Sequence, residues 1–210
     1  MRQGRTVPHP SGGQVLPRAF YARPTLDVLR DLIGHVLVHD ERAGRTSGVI
    51  VEAEAYIGEA DAACHAAPGP TPRNAPLYGP PGFAYIYLNY GLHEMVNAVT
   101  EPAGRPAAIL IRALEPLEGI ARMRRRRARR RGTGSSLETV DLCRGPGNLT
   151  VALGIDRRLN RADLTASRLR IEDHGIRAAP LGWSPRIGIR VATDRPWRCY
   201  WKGRPAVSRR

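Results

Sequence analysis

Lysine is almost missing from this chain: Lys202 is the single lysine among 33 basic residues. Chemistry through an amine nucleophile therefore has only Lys202 and the α-amino group to draw on. Cysteine is scarce as well. Cys64, Cys143 and Cys199 are widely spaced and form no CxxC pair, which argues against both a disulfide framework and a zinc site. No apolar run reaches the length of a membrane span. The opening MRQGRTVPHPSGG has charge but no apolar core of a signal peptide, so residues 1–16 are expected to be a disordered leader and 17–210 one domain. Neither GxxxxGK[ST] nor GxGxxG occurs, which leaves nucleotide hydrolysis and a dinucleotide cofactor without support. No cofactor and no metal are expected.

Acidic residues are outnumbered 19 to 33, for a formal net charge of +14. That excess exceeds what solubility requires and points to a polyanionic partner. Nucleic acid is favoured over a membrane surface, because the basic residues lack an amphipathic apolar face. The preference for arginine over lysine also fits a GC-rich coding bias. The thiols suit a reduced, cytoplasmic setting, with the protein held at the nucleoid through DNA.

The chain is organised around Ser47 to Gly58, SGVIVEAEAYIG. As a strand, period two sends Val49, Val51, Ala53 and Ala55 to one face and Ile50, Glu52, Glu54 and Tyr56 to the other. Two carboxylates beside a phenol on so apolar a segment must be paired or working. Alternation alone does not choose between Glu52 and Glu54.

Before this stretch, LDVLRDLIG reads as a short helix ended by Gly34, and His35–His39 as a strand with both histidines at the surface. The turn that follows makes a hairpin with Val36 and Val38 beside Val49 and Val51. Glu59 to Pro81 is a long Ala/Pro/Gly loop carrying Cys64-His65 and Thr71–Asn74 (TPRN). Phe83 to Val99 reads as a hairpin with Asn89-Tyr90-Gly91 at its tip. An exposed Tyr90 wastes burial unless it enters something, such as a base stack, the alternative being that it folds back on its own sheet.

Ala107–Leu114 is a buried strand whose Arg112 needs an anion, and the acidic strand offers one. Pro116 is expected to start a helix with eight arginines between Arg122 and Arg131, partly complementing the helix dipole and partly a phosphate surface. Gly145-Pro146-Gly147 precedes a short helix, as a phosphate site or a tight turn. Arg168–Glu172, Arg186–Val191 and Trp197–Lys202 read as further strands. The expected fold is a single α+β domain: a curved, mainly antiparallel sheet or partly open barrel with flanking helices and a protruding, DNA-inserting β-hairpin.

Taken together, VEAEAYIG with His65 nine residues after Tyr56, TPRN, PGFAYIYLNYG, Asn97, LIRALEPLEG and GPGNLTVALGI resemble the alkyladenine (3-methyladenine) DNA glycosylase family of mammals and many bacteria. The resemblance runs from about Arg23 to the C-terminus. It implies a monofunctional enzyme that flips alkylated or deaminated purines (3-methyladenine, hypoxanthine, ethenoadenine) out of double-stranded DNA and hydrolyses the N-glycosidic bond, leaving an abasic site. It assigns Glu54 as general base and Arg112 as the arginine holding the attacking water and keeping Glu54 ionised. It further assigns Tyr56, His65 and Tyr87 to the flipped base, Asn97 to rejection of a guanine amino group, and Tyr90 to intercalation. By the same resemblance the enzyme acts as a monomer. Asn89, Glu94, Arg204 and Ala206 depart from the family pattern. A non-catalytic nucleic-acid-binding module is the competing reading, and it leaves Glu54 and Arg112 unexplained.

If about five phosphates are neutralised, log K for DNA should fall with log salt at a slope of about −4 to −5. Anisotropy titrations over a range of NaCl measure this, and a salt-insensitive affinity would contradict the DNA reading.

Overall fold

Twelve extended residues, β3 (Thr46–Ile57), pair along one side with the equally long β6 (Ala107–Glu118). Along the other side they pair first with β2 (Val36–His39) and then with β9 (Arg198–Trp201). This computed structural model describes residues 12–131 and 137–208. Outward from β2 come β7 (Leu169–Asp173) and β1 (Gln14–Val15), and outward from β6 come β5 (His93–Val99) and β4 (Ala84–Asn89). The last strand, β8 (Leu181–Ser184), pairs only with β9. Every pairing is antiparallel. The sheet curls into a half-barrel, and with its helices it makes the single α+β domain expected.

Helices α1 (Arg18–Tyr21), α2 (Thr25–Leu32), α3 (Ile120–Arg131) and α4 (Pro146–Leu153) flank the sheet. In α2 the apolar stripe Val28, Leu29 and Leu32 is fully buried, with Asp27 in the positive first turn. Residues 46–55 of β3 are all buried, so both of its faces are covered and simple in/out alternation is lost. None of the helices is long and apolar enough to cross a membrane, among the described residues.

The pairing of β3 with β6 carries three register shifts, two of which compensate. Ile50 opposes Leu114, Glu52 opposes Ala113, and Ala53 opposes Ile111. Val51 is thus the extra residue on one strand and Arg112 the extra residue on the other. A bulge re-aims a side chain, and this one lies where Arg112 meets the two glutamates.

Several expectations are corrected. Pro116 does not start a helix: β6 runs on to Glu118, and the helix begins at Ile120. Proline fits there because it lies at a register shift opposite Gly48, where the ladder is already broken. Arg186–Val191 is not a strand; the segment is irregular and lies against the end of β3, while the strand falls earlier, at Leu181–Ser184. His39 is buried, its Nδ1 2.9 Å from the Leu153 carbonyl at the end of α4. Val36 does oppose Val49, but Val38 faces Ser47. The leader expected through Leu16 does not extend so far: Gln14–Val15 pairs with β7 and Leu16 is buried. Residues 1–11 lie outside the described part, as does most of the break expected at Gly132–Glu138.

The turn from β6 into α3 depends on Gly119, whose φ is +73°, and whose missing Cβ would lie 2.6 Å from the Arg45 carbonyl oxygen. Gly119→Ala should lower unfolding free energy by about 1–3 kcal/mol from the backbone conformation alone. Urea denaturation measures it, and wild-type stability would contradict the role given to this turn.

Candidate active site

The neighbours Glu52 and Glu54 on β3 are both without exposed surface. One guanidinium joins them: Arg112 donates from Nε to Glu52 at 3.0 Å and from NH1 to Glu54 at 3.2 Å. Glu52 also receives Arg198 Nε at 2.7 Å and the Ser208 amide at 2.6 Å. Glu54 receives the Tyr56 hydroxyl at 3.0 Å and the Ile187 amide at 2.7 Å. Two acids and two arginines thus form a neutral buried cluster, each carboxylate oxygen carrying a donor.

Burial pushes the Glu54 carboxyl above the ordinary carboxylate range, while Arg112, the Ile187 amide and the Tyr56 hydroxyl pull it back. Arg112 thus favours the ionised form of Glu54, against a desolvation that is the larger influence. Burial and the Glu54 charge likewise raise the Tyr56 phenol, which stays a donor.

Beyond Tyr56 lies a cavity of about 30 Å³ lined by Tyr56, Cys64, His65, Tyr85, Tyr87 and Asn97 among others. The structure thus brings together Glu54, Tyr56, His65, Tyr87, Asn97 and Arg112 from β3, β4, β5, β6 and the loop after β3. The His65 and Tyr87 rings meet edge to face at 4.4 Å between centroids. His65 Nδ1 lies 2.9 Å from the Tyr85 hydroxyl, and burial lowers its pKa, so the ring is neutral at physiological pH. Burial pushes the Tyr87 phenol up to about 12. The Asn97 amide donates to the Tyr85 carbonyl at 3.0 Å, which fixes it in the wall. Asn74 of TPRN donates to the His65 and Gly69 carbonyls at 2.7 and 2.9 Å, closing the loop that presents His65.

Tyr90 stands apart. It is 88% exposed at the hairpin tip, beside Leu92 at 60%, so it does not fold back on its sheet. Its φ is +47°, a left-handed conformation rare for an aromatic residue. The tip is braced from behind, because Arg130 of α3 donates to the Leu92 carbonyl. The arginine helix is otherwise less free than expected. Arg122 bonds main-chain carbonyls of the β2–β3 turn, Arg124 bonds Leu137 and Thr139, Arg126 bonds Glu41 and Ala152, and Arg127 bonds Asn148. Glu94 is matched by Arg157 at 3.1 Å. Arg204 stacks on Trp201 at 3.8 Å and pairs with Glu115.

Sequence reading missed Tyr85, Asp61, Arg186, Ile187 and Arg198. Tyr85 was within reach, since it lies two residues before Tyr87 and shares its face of β4. Nothing local marks the others, which come from the C-terminal third of the chain or the turn after β3.

Buried carboxylates one hydrogen bond from an aromatic slot, in a chain of net charge +14, fit an enzyme acting on a nucleic-acid base. The model of the methylpurine-DNA glycosylase family matches residues 19–205. A Methanocella arvoryzae protein described as a "putative 3-methyladenine DNA glycosylase" is 49% identical over 93% of this chain and 96% of its own. Proteins of the same description from Burkholderia lata and Chlorobaculum parvum are 44% and 46% identical, over 99% and 90% of this chain and 97% and 88% of theirs. The chain belongs to the methylpurine-DNA glycosylase family. It is a DNA-repair enzyme, a monofunctional N-glycosyl hydrolase acting on alkylated bases in DNA.

Removing Arg112 leaves the buried Glu54 without its cation and Glu52 with Arg198 alone. Arg112→Met should cost about 3–5 kcal/mol of stability, as for other buried pairs broken on one side. Urea unfolding at neutral pH checks this, and a loss under 1 kcal/mol, on the order of a surface pair, would contradict the bridging role.

Proposed function

We propose that this enzyme flips alkylated or deaminated purines out of double-stranded DNA and excises them hydrolytically, with Glu54 as the general base. Its substrates are 3-methyladenine, the base named for its relatives, together with hypoxanthine and ethenoadenine, and it works as a monomer on nucleoid DNA in the cytoplasm. The observation that carries this reading is the Glu54 carboxylate, buried and one hydrogen bond from the lining of an aromatic slot. A base there activates water for attack at C1′ as the glycosidic bond loosens toward an oxocarbenium-like state. Arg112 steadies the carboxylate and the water. Cationic alkylpurines are good leaving groups, so one carboxylate suffices.

Tyr56, His65 and Tyr87 stack on the extruded base, and their aromatic faces suit electron-poor, often cationic rings. Asn97 in the wall disfavours a guanine amino group. Tyr90 fills the vacated stack, offsetting the few kcal/mol that flipping costs. Glu52, with both oxygens engaged by two arginines and the Ser208 amide, is assigned to structure.

Glu54→Gln should keep affinity for damaged DNA and lose excision by about 10²-fold or more. The assay treats duplex oligonucleotides carrying each lesion, then compares strand breaks with and without hot alkali. Breaks that appear only after alkali mark a monofunctional enzyme. Protonated Glu54 accepts no proton from water, so the rate should fall on the acid side, with a midpoint above the ordinary carboxylate range because burial raises this group. Excision by Glu54→Gln at the wild-type rate would end the general-base assignment.

A further inference from the structure

The ion pair between Asp61 and Arg186 has no exposed surface on either side chain. Asp61 lies four residues beyond β3, and its carboxylate accepts the Ile57 and Ala63 amides at 3.3 and 3.2 Å, which sets the turn leading to His65. Arg186 grips it with two parallel bonds, NH1 to Oδ2 at 2.6 Å and NH2 to Oδ1 at 2.8 Å. The same guanidinium donates to the Ala55 carbonyl of β3 at 3.0 Å and to the Ala192 carbonyl at 3.3 Å. Its carbon lies 4.7 Å from the centre of the Tyr56 ring and 5.2 Å from the Trp197 ring.

A fully buried ion pair is a poor source of stability, since well-packed apolar residues often serve as well. Its contacts are more informative than its energy. The residue after Arg186, Ile187, donates its amide to Glu54 Oε1, and Tyr56, whose ring Arg186 covers, donates its hydroxyl to Glu54 Oε2. Two of the three donors on Glu54 therefore depend on where Arg186 sits. Arg112, from β6, is the third and is held independently by Glu52.

We propose that Arg186, clamped by Asp61, is a positioning residue for excision: it fixes the Ile187 amide and the Tyr56 hydroxyl on Glu54 and covers one face of the Tyr56 ring, leaving the other for the base. The inference rests on the assignment of Glu54 as general base. Both donors stabilise the ionised carboxylate, so losing them favours the protonated form. The other charged or titratable groups facing Glu54 are Glu52 and Tyr56 on β3, Tyr87 on β4, Arg112 on β6 and Arg186 itself. Arg198 on β9 is paired opposite it in the sheet.

The test compares wild type, Arg186→Met, Arg186→Lys and Asp61→Asn by single-turnover release of methylated purines from methylated duplex DNA across pH. Binding to a duplex with a tetrahydrofuran abasic analogue is measured alongside. Arg186→Met should slow release about tenfold or more, the scale of a lost charged hydrogen bond. Its affinity should stay within about threefold, its acid limb should move to higher pH, and Arg186→Lys should recover part of both effects. A folded Arg186→Met with the wild-type rate and acid limb would overturn the proposal, as would a loss confined to affinity. Should Arg186→Met fail to melt cooperatively, the rate and limb of Arg186→Lys and Asp61→Asn decide, wild-type values in both overturning it. Glu54→Gln separates the two readings: activity there removes the general base itself, while an inactive Glu54→Gln beside unaffected Arg186 variants removes only this role.

Discussion

One guanidinium reaching two carboxylates, Arg112 between Glu52 and Glu54, is the contact that the arrangement of the sheet serves. Any one of these ions alone in the interior would be too costly to keep charged. Together with Arg198 they make a neutral group of four, held across β3, β6 and β9. The bulge at Arg112 is what lets the side chain reach both acids. The registers of three strands thus meet at one electrostatic cluster, and a slip in any of them would leave a charge unpaired. Tyr56, two residues beyond Glu54 on β3, then lines the slot and bonds that carboxylate.

Much of this was legible in the sequence where the pattern is local. Alternation on β3 places Glu52, Glu54 and Tyr56 together, and the turn residues at Asn89–Gly91 mark the hairpin whose tip Tyr90 occupies. The misreadings share a physical cause, which is that a residue's meaning was fixed by something distant. Pro116 reads as a helix start until Gly48 and the register shift opposite it supply a broken ladder. His39 reads as surface until the Leu153 carbonyl arrives from α4. Arg186–Val191 alternates like a strand, yet the Asp61 carboxylate and the Glu54 oxygen capture its guanidinium and amide, and an irregular path satisfies both. Joining His65, Tyr87, Asn97 and Arg112 to Glu54 required the whole set of motifs in order, since no one spacing implies the others.

The charge of +14 divides into two uses. In α3, several of the arginines bond the β2–β3 turn, α4 and the hairpin tip, so part of the basic run is internal scaffolding. Arg130 is the clearest case, because it holds the Leu92 carbonyl just behind Tyr90. A short loop with an aromatic residue at positive φ gains stiffness from that bond. Arginine suits this better than lysine, since its planar fork makes several directed bonds to carbonyl oxygens. The scarcity of lysine is thus compatible with function as well as with coding bias.

Glu52 and Glu54 differ in surroundings more than in chemistry. The C-terminal segment covers Glu52: Ser208 caps one oxygen, and Arg198 with Arg112 takes the other. Glu54 has one cation, one phenol and one amide, and the phenol belongs to a residue lining the slot. Glu54 therefore stands one hydrogen bond from the slot, in a site whose desolvation raises its pKa. Two identical side chains on one face of one strand thus differ in their partners: the first is held by Arg198 and the chain end, while the second is bonded to a tyrosine that lines the slot.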